Sequence, residues 1–196
     1  MLTSFVFGFI VVFVMQDNIV FLFPGQGSQF VGMGAEIWRD FASARYAFEM
    51  VSDVLKTDIL KIMLYGSDCV LNAPENAAVA IFANSVAVAS VIEDEIKRPL
   101  CDIAYAITGH SIGQYSALYC AGSLSMVDAV GLLKKRSYYM YKKSPDNAGM
   151  IVVVGIDRDS LLELVNSVLP NGFAQISNIN ADNQFVVSGY NNSLDE

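Results

Sequence analysis

Positive charge is scarce in this 196-residue chain: 12 Lys and Arg stand against 20 Asp and Glu, a formal net charge of −8. No basic run exceeds Lys134-Lys135-Arg136. A protein that grips a phosphodiester backbone needs a basic face, so nucleic acid is not expected as a partner. Histidine occurs once, at His110, and the three cysteines (Cys69, Cys101, Cys120) form no Cys-x-x-Cys pair. Such a chain carries neither a disulfide framework nor a zinc site. No metal is expected, and reduced, cytoplasmic surroundings are the plain reading. The apolar stretch at residues 1–15, MLTSFVFGFIVVFVM, lacks the positive flank and small-residue cleavage site of a secretory signal. It also falls short of the ~20 apolar residues that span a bilayer. An anchor, a buried strand and an upstream stretch foreign to the working protein all fit it. A membrane is not expected as a partner.

What the chain has in abundance is apolar surface to bury. Hydrophobic residues make up 54% of it and the mean hydropathy is +0.42, enough for a substantial core.

One stretch organises the rest. Ile103–Thr108 is a short run rich in strand formers; Gly109-His110-Ser111-Ile112-Gly113 follows; an alanine- and leucine-bearing segment then runs to Gly122. Strand, Gly-x-Ser-x-Gly, helix is the order a nucleophile elbow requires. A serine on that tight turn projects its hydroxyl clear of the sheet, and glycines on either side remove Cβ atoms that would clash. The Ile112 N–H then lies at a helix N-terminus, suited to stabilising an oxyanion. An ordinary βα turn would also satisfy the five-letter pattern. His110, adjacent on a sharp turn, points away from the Ser111 hydroxyl and is expected to be structural.

Upstream, Ile19–Phe23 is a continuous apolar run cut off by Pro24-Gly25, the signature of a buried parallel strand. Its glycine-rich sequel fails as a dinucleotide loop, because Phe30 stands where the third glycine belongs. The spacing predicts helices over Glu36–Lys56 and from Pro74 to Lys97-Arg98 with Pro99 as a stop, and between them a shorter turn capped by Asp58 that stops at Gly66. Ser125 and Asp128 form a variant capping box opening a helix to Lys143. On that helix Ala129, Leu132, Arg136 and Met140 fall in one row, and Arg136 is a charge in an apolar series. It is either a snorkelling arginine or a binding group. After a turn-rich linker at Ser144–Gly149, the pattern is β-α-β-β and the first turn of another helix.

Two strings resemble a known family. GHSIGQYSALYCAG is similar to the elbow signature of malonyl-CoA:acyl carrier protein transacylases and related acyltransferase domains, and FPGQGSQFVGMG is similar to their first loop. The resemblance runs from about Met15 to the last residue. It implies an α/β fold: a parallel-sheet acyltransferase core with a nucleophile elbow plus a ferredoxin-like small subdomain, both incomplete. On this division residues 1–14 are an apolar extension, which the resemblance marks as extraneous. Residues 15–144 are the N-terminal part of the core, and 145–196 a truncated subdomain.

The implied roles are Ser111 as nucleophile, the backbone N–H groups of Gln26 and Ile112 as oxyanion donors, and Arg136 with Met140 at the substrate. Arg136 would pair with the malonyl carboxylate. Ser111 would take malonyl from malonyl-CoA and pass it to the phosphopantetheine thiol of acyl carrier protein, as in fatty acid biosynthesis, without a cofactor. The departures are Gln114, where the family has Glu, and Glu75-Asn76-Ala77-Ala78, where it has Thr-Gln-Pro-Ala. The family's base is a later histidine, and none follows Ser111 here. An inactive fragment or remnant and a serine esterase of α/β-hydrolase type remain as alternatives.

Overall fold

A computed structural model describes residues 2–7, 10–15, 18–169 and 172–196. The chain divides into two compact units, one up to Lys142 and one from Lys143 to Glu196.

The first unit is built around one helix. Strands β1 (Leu2–Phe7), β2 (Ile10–Met15) and β3 (Asn18–Phe23) precede helices α1 (Ala35–Asp40), α2 (Ala42–Leu55), α3 (Ile59–Tyr65), α4 (Asp68–Asn72) and α5 (Pro74–Ile96). β4 (Ala104–Gly109), α6 (Gly113–Cys120) and α7 (Met126–Lys142) complete it. Every residue of α5 from Ala77 to Ala89 is buried. Its small side chains let other helices approach closely, so Phe82 and Val86 share a core with Phe48, Val51, Met63, Ile112 and Leu133. Each large side chain so buried contributes roughly 1.5–3 kcal/mol. This helix is long and apolar enough to cross a membrane, yet most of it is buried inside the molecule. A helix that is apolar on all sides must be enclosed, and here protein encloses it.

The four strands form one sheet in the order β1-β2-β3-β4. β3 and β4 run parallel, with Phe23 opposite Gly109, while β2 pairs antiparallel with the other edge of β3. Ile10 and Val12 of β2 are buried with Phe21, Phe23 and Leu100. Part of the N-terminal apolar stretch thus serves as a core strand in this structure. The parallel pairing matters most for function: it brings the chain leaving β3 at Pro24 and the chain leaving β4 at His110 to one end of the sheet, where ligands of open α/β sheets bind.

The helix expected over 36–56 is in fact two. Phe41 is extended (φ −121°, ψ 127°) and separates α1 from α2. Arg45 explains the break, since its Nη1 donates to the carbonyls of Trp38 and Arg39 at 2.9 Å, satisfying the end of α1 from the side. The α3 cap is as anticipated, with the Asp58 carboxylate accepting from Lys61 N at 2.9 Å. The short helix α4, capped by Ser67, was not anticipated. At α7, Ser125 Oγ accepts from Asp128 N at 3.1 Å and donates to Asp128 Oδ2 at 2.7 Å. The shorter aspartate thus reaches the serine hydroxyl.

The second unit comprises β5 (Ala148–Val154), α8 (Arg158–Val168), β6 (Ala174–Ala181), β7 (Gln184–Tyr190) and α9 (Asn191–Leu194). Its antiparallel sheet has the order β5-β7-β6. This is the expected β-α-β-β pattern and a first helical turn. Leu161, Val165, Ala174, Phe185 and Val187 form its core. Asp157 caps α8, and its hydrogen bonds from Ser160 and Asp159 hold its carboxyl below the usual range. Strand β5 lies at a sheet edge with Met150, Val152 and Val154 exposed by 55%, 63% and 64%.

Candidate active site

Ser111 has φ 51°, the left-handed region. For a residue with a Cβ that conformation costs roughly 1–2 kcal/mol, so something must hold it. The surroundings supply the constraint. A Cβ on Gly109 would overlap the Gly113 carbonyl, and one on Gly113 would overlap the carbonyl of Phe23. A Cβ on Gly25 would meet His110 Nδ1 at 2.5 Å and the His110 carbonyl at 2.8 Å. Three backbone segments therefore meet at contact distance, and only glycine fits where they touch. His110 N donates to Phe23 O at 3.0 Å, extending the β3–β4 ladder by one residue, and Gly113 N closes the turn on His110 O at 2.8 Å. The chain thus turns tightly from β4 into α6 with Ser111 at the bend, the local geometry that the Gly-x-Ser-x-Gly pattern predicts.

The half-buried Ser111 hydroxyl accepts from Arg136 Nη2 at 2.9 Å. Arg136 is half-buried too, so it is not a side chain snorkelling into water. The only ion pairs among the described residues are Arg39–Asp40 and Lys97–Asp94, so no described carboxylate neutralises the guanidinium at Ser111. One N–H of the guanidinium goes to the serine oxygen, and the others are left for an anionic ligand.

Gln26 and Ile112 bracket this pair in the chain. Ile112 is fully buried at the start of α6; Gln26 is exposed in the loop after β3, whose Gly25 lies against His110. Neither backbone N–H has an acceptor among the described residues. The loop fastens itself: Ser28 Oγ donates to Gly25 O at 2.8 Å, Gly27 N donates to Gln29 Oε1 at 2.9 Å, and Gln29 Nε2 donates to Asn72 Oδ1 at 2.5 Å. Gln26 Nε2 donates to Tyr141 Oη at 2.7 Å, a contact that sequence reasoning missed. Met140, one turn beyond Arg136 on α7, is 38% exposed. The His110 ring lies over Gly25, on the loop side of the elbow. Beneath the elbow, burial pushes the Cys120 thiol far above its ordinary value, so it stays a neutral core group.

Ser111 therefore sits on a tight turn at the C-terminal end of a parallel strand pair, with the Arg136 guanidinium on its hydroxyl. The chain belongs to the acyl transferase domain family, whose model matches residues 20–195. It is similar to malonyl CoA-acyl carrier protein transacylases of Bacillus subtilis, 37% identical over 92% of this chain and 44% of that protein, and 36% identical over 89% and 54%. Among solved structures it is similar to an acyl-carrier-protein-S-malonyltransferase of Bartonella henselae, with a TM-score of 0.84 and 34% identity over 89% of this chain and 55% of that one. A malonyl-transacylase solved in complex with a type II polyketide acyl-carrier protein is also similar, with a TM-score of 0.79 and 30% identity over 89% and 55%. The chain spans about half the length of the curated relatives it matches.

Proposed function

We propose that this chain carries the nucleophile half of a malonyl-transferring active site. Ser111 Oγ attacks the thioester carbonyl of malonyl-CoA, the carbon–sulfur bond breaks, coenzyme A leaves as its thiol with the proton given up by Ser111, and malonyl rests on Ser111 as an oxyester. The phosphopantetheine thiol of an acyl carrier protein then attacks that ester and takes the acyl group. The N–H groups of Gln26 and Ile112 receive the negative oxygen in both steps. Arg136 pairs bidentately with the distal carboxylate, and Met140 lines the acyl site. The serine proton needs an acceptor, and the resemblance assigns that role to a histidine from a segment that follows the small subdomain in the family. A cytoplasmic location accords with this chemistry.

The observation that carries the reading is the guanidinium of Arg136 at the nucleophile with no described carboxylate to satisfy it. A generic esterase has no use for a cation there, and the named relatives are malonyl transferases.

The test is to incubate the chain with malonyl-CoA or acetyl-CoA and follow acyl-Ser111 by intact mass. Arg136→Ala should slow malonylation roughly ten- to a hundredfold, the worth of a charge-assisted pair, and spare acetylation. Equal losses for both donors would make Arg136 a structural residue. No acylation of Ser111 by either donor, even when the remaining portion of a relative is supplied, would leave the inactive-remnant reading.

A further inference from the structure

We propose that Tyr141 is a positioning residue for the oxyanion side of the site, tying the Gln26 loop to the helix that carries Arg136. The inference rests on the reading of the Gln26 N–H as an oxyanion donor.

The loop's own hydrogen bonds fix its base and one flank. Ser28 closes on Gly25, and Gln29 engages both Gly27 N and Asn72. The other flank carries Gln26, between Gly25 and Gly27, and Gly27 has φ 97° with open space around it. A residue set between two glycines has wide conformational freedom, and its placement needs an outside tether. The bond from Gln26 Nε2 to Tyr141 Oη at 2.7 Å is the side-chain tether the structure shows there.

Its anchor point is informative. Arg136 and Tyr141 sit on α7 five residues apart, about 7.5 Å along the axis. The first donates to the nucleophile and the second holds the loop. One rigid helix thus sets the spacing between the serine oxygen and the Gln26 backbone. Tyr141 Oη touches neither acyl group nor thioester in this scheme; it acts through Gln26.

The test uses the 196-residue chain, wild type and with Tyr141→Phe, Gln26→Ala and both together. Amide hydrogen–deuterium exchange is read at Gly27, whose N–H is held by Gln29 Oε1, and Ser111 acylation by malonyl-CoA is followed by mass. Losing one hydrogen bond should speed exchange in that loop about three- to tenfold in each single variant, with no further rise in the double. The maximal acylation rate should fall by a similar factor with the half-saturating malonyl-CoA concentration unchanged, because an oxyanion contact is made only in the transition state. Unchanged exchange in Tyr141→Phe overturns the proposal. So does a raised half-saturating concentration at an unchanged maximal rate, which would make Tyr141 a substrate-binding residue. Additive losses in the double variant also overturn it. If wild-type Ser111 takes no acyl group even with the remaining portion of a relative supplied, the reading of function falls, and the exchange result alone decides the tether.

Discussion

The two chain reversals at the end of the parallel strand pair are held by different means. After β4 the elbow is fixed by backbone: Gly109, Gly113 and Gly25 touch carbonyls and the His110 ring where no Cβ fits, and Ser111 is forced to φ 51°. After β3 the loop is fixed by side chains: Ser28, Gln29 and Gln26 hydrogen-bond to Gly25, Gly27, Asn72 and Tyr141, while Gly27 has open space around it. The contrast matches the demands that the proposed roles place on each. A nucleophile needs one position that thermal motion cannot soften, and steric overlap rises far more steeply than a hydrogen bond weakens. A donor that must meet an oxygen only as it becomes charged can sit on a hinge with a tether.

The largest effect should come from filling the elbow. Gly113→Ala places a Cβ into the Phe23 carbonyl, and such overpacking costs roughly 1–3 kcal/mol or more. Chemical denaturation should show that loss or outright failure to fold. Gly27→Ala should cost only about 1 kcal/mol, the left-handed strain alone, because no atom lies within reach of the new methyl. If the two losses are equal, the elbow is not the rigid member of the pair. Relieving strain should work in the opposite sense: Ser111→Gly should be more stable than Ser111→Ala by about 1 kcal/mol, although both lack the hydroxyl. Identical denaturation midpoints for these two would mean the turn relaxes out of the left-handed region. The smallest effect belongs to the loop. Gln29→Ala removes exposed hydrogen bonds to Gly27 and Asn72 and should cost under ~1 kcal/mol in stability, visible mainly as faster amide exchange at Gly27.

The elbow was legible in the sequence because its requirements are local. Strand, turn and helix follow within one stretch, and glycines are demanded at fixed offsets from the serine. By spacing alone Arg136 was legible only as an anomaly, a charge in an apolar row; the family resemblance named it as a binding group, and the fold was needed to show it reaching Ser111. The Gln26–Tyr141 contact joins residues 115 apart in sequence, and neither has a periodicity that announces it. The break at Phe41 was hidden for a related reason. Its cause is Arg45 reaching back to the carbonyls of Trp38 and Arg39, and the apolar spacing of α1 and α2 reads straight through it. The helix α4 carried a usable signal in Ser67-Asp68, a cap followed by a first-turn acid, but five residues are too few for a visible repeat. For residues 1–15 composition alone supports several fates, and whether Ile10 and Val12 find Phe21 and Phe23 is a tertiary matter.

Strand β5 sets a limit on how this chain can be handled in solution. Met150-Ile-Val-Val-Val154 is an uncharged, proline-free, β-branched run at a sheet edge, with most of its side chains in water. Those are the ingredients of intermolecular cross-β stacking, in which one molecule's open edge templates the next. Light scattering should therefore rise with protein concentration, and Val152→Lys, which places a charge on the exposed face, should suppress it without touching the elbow.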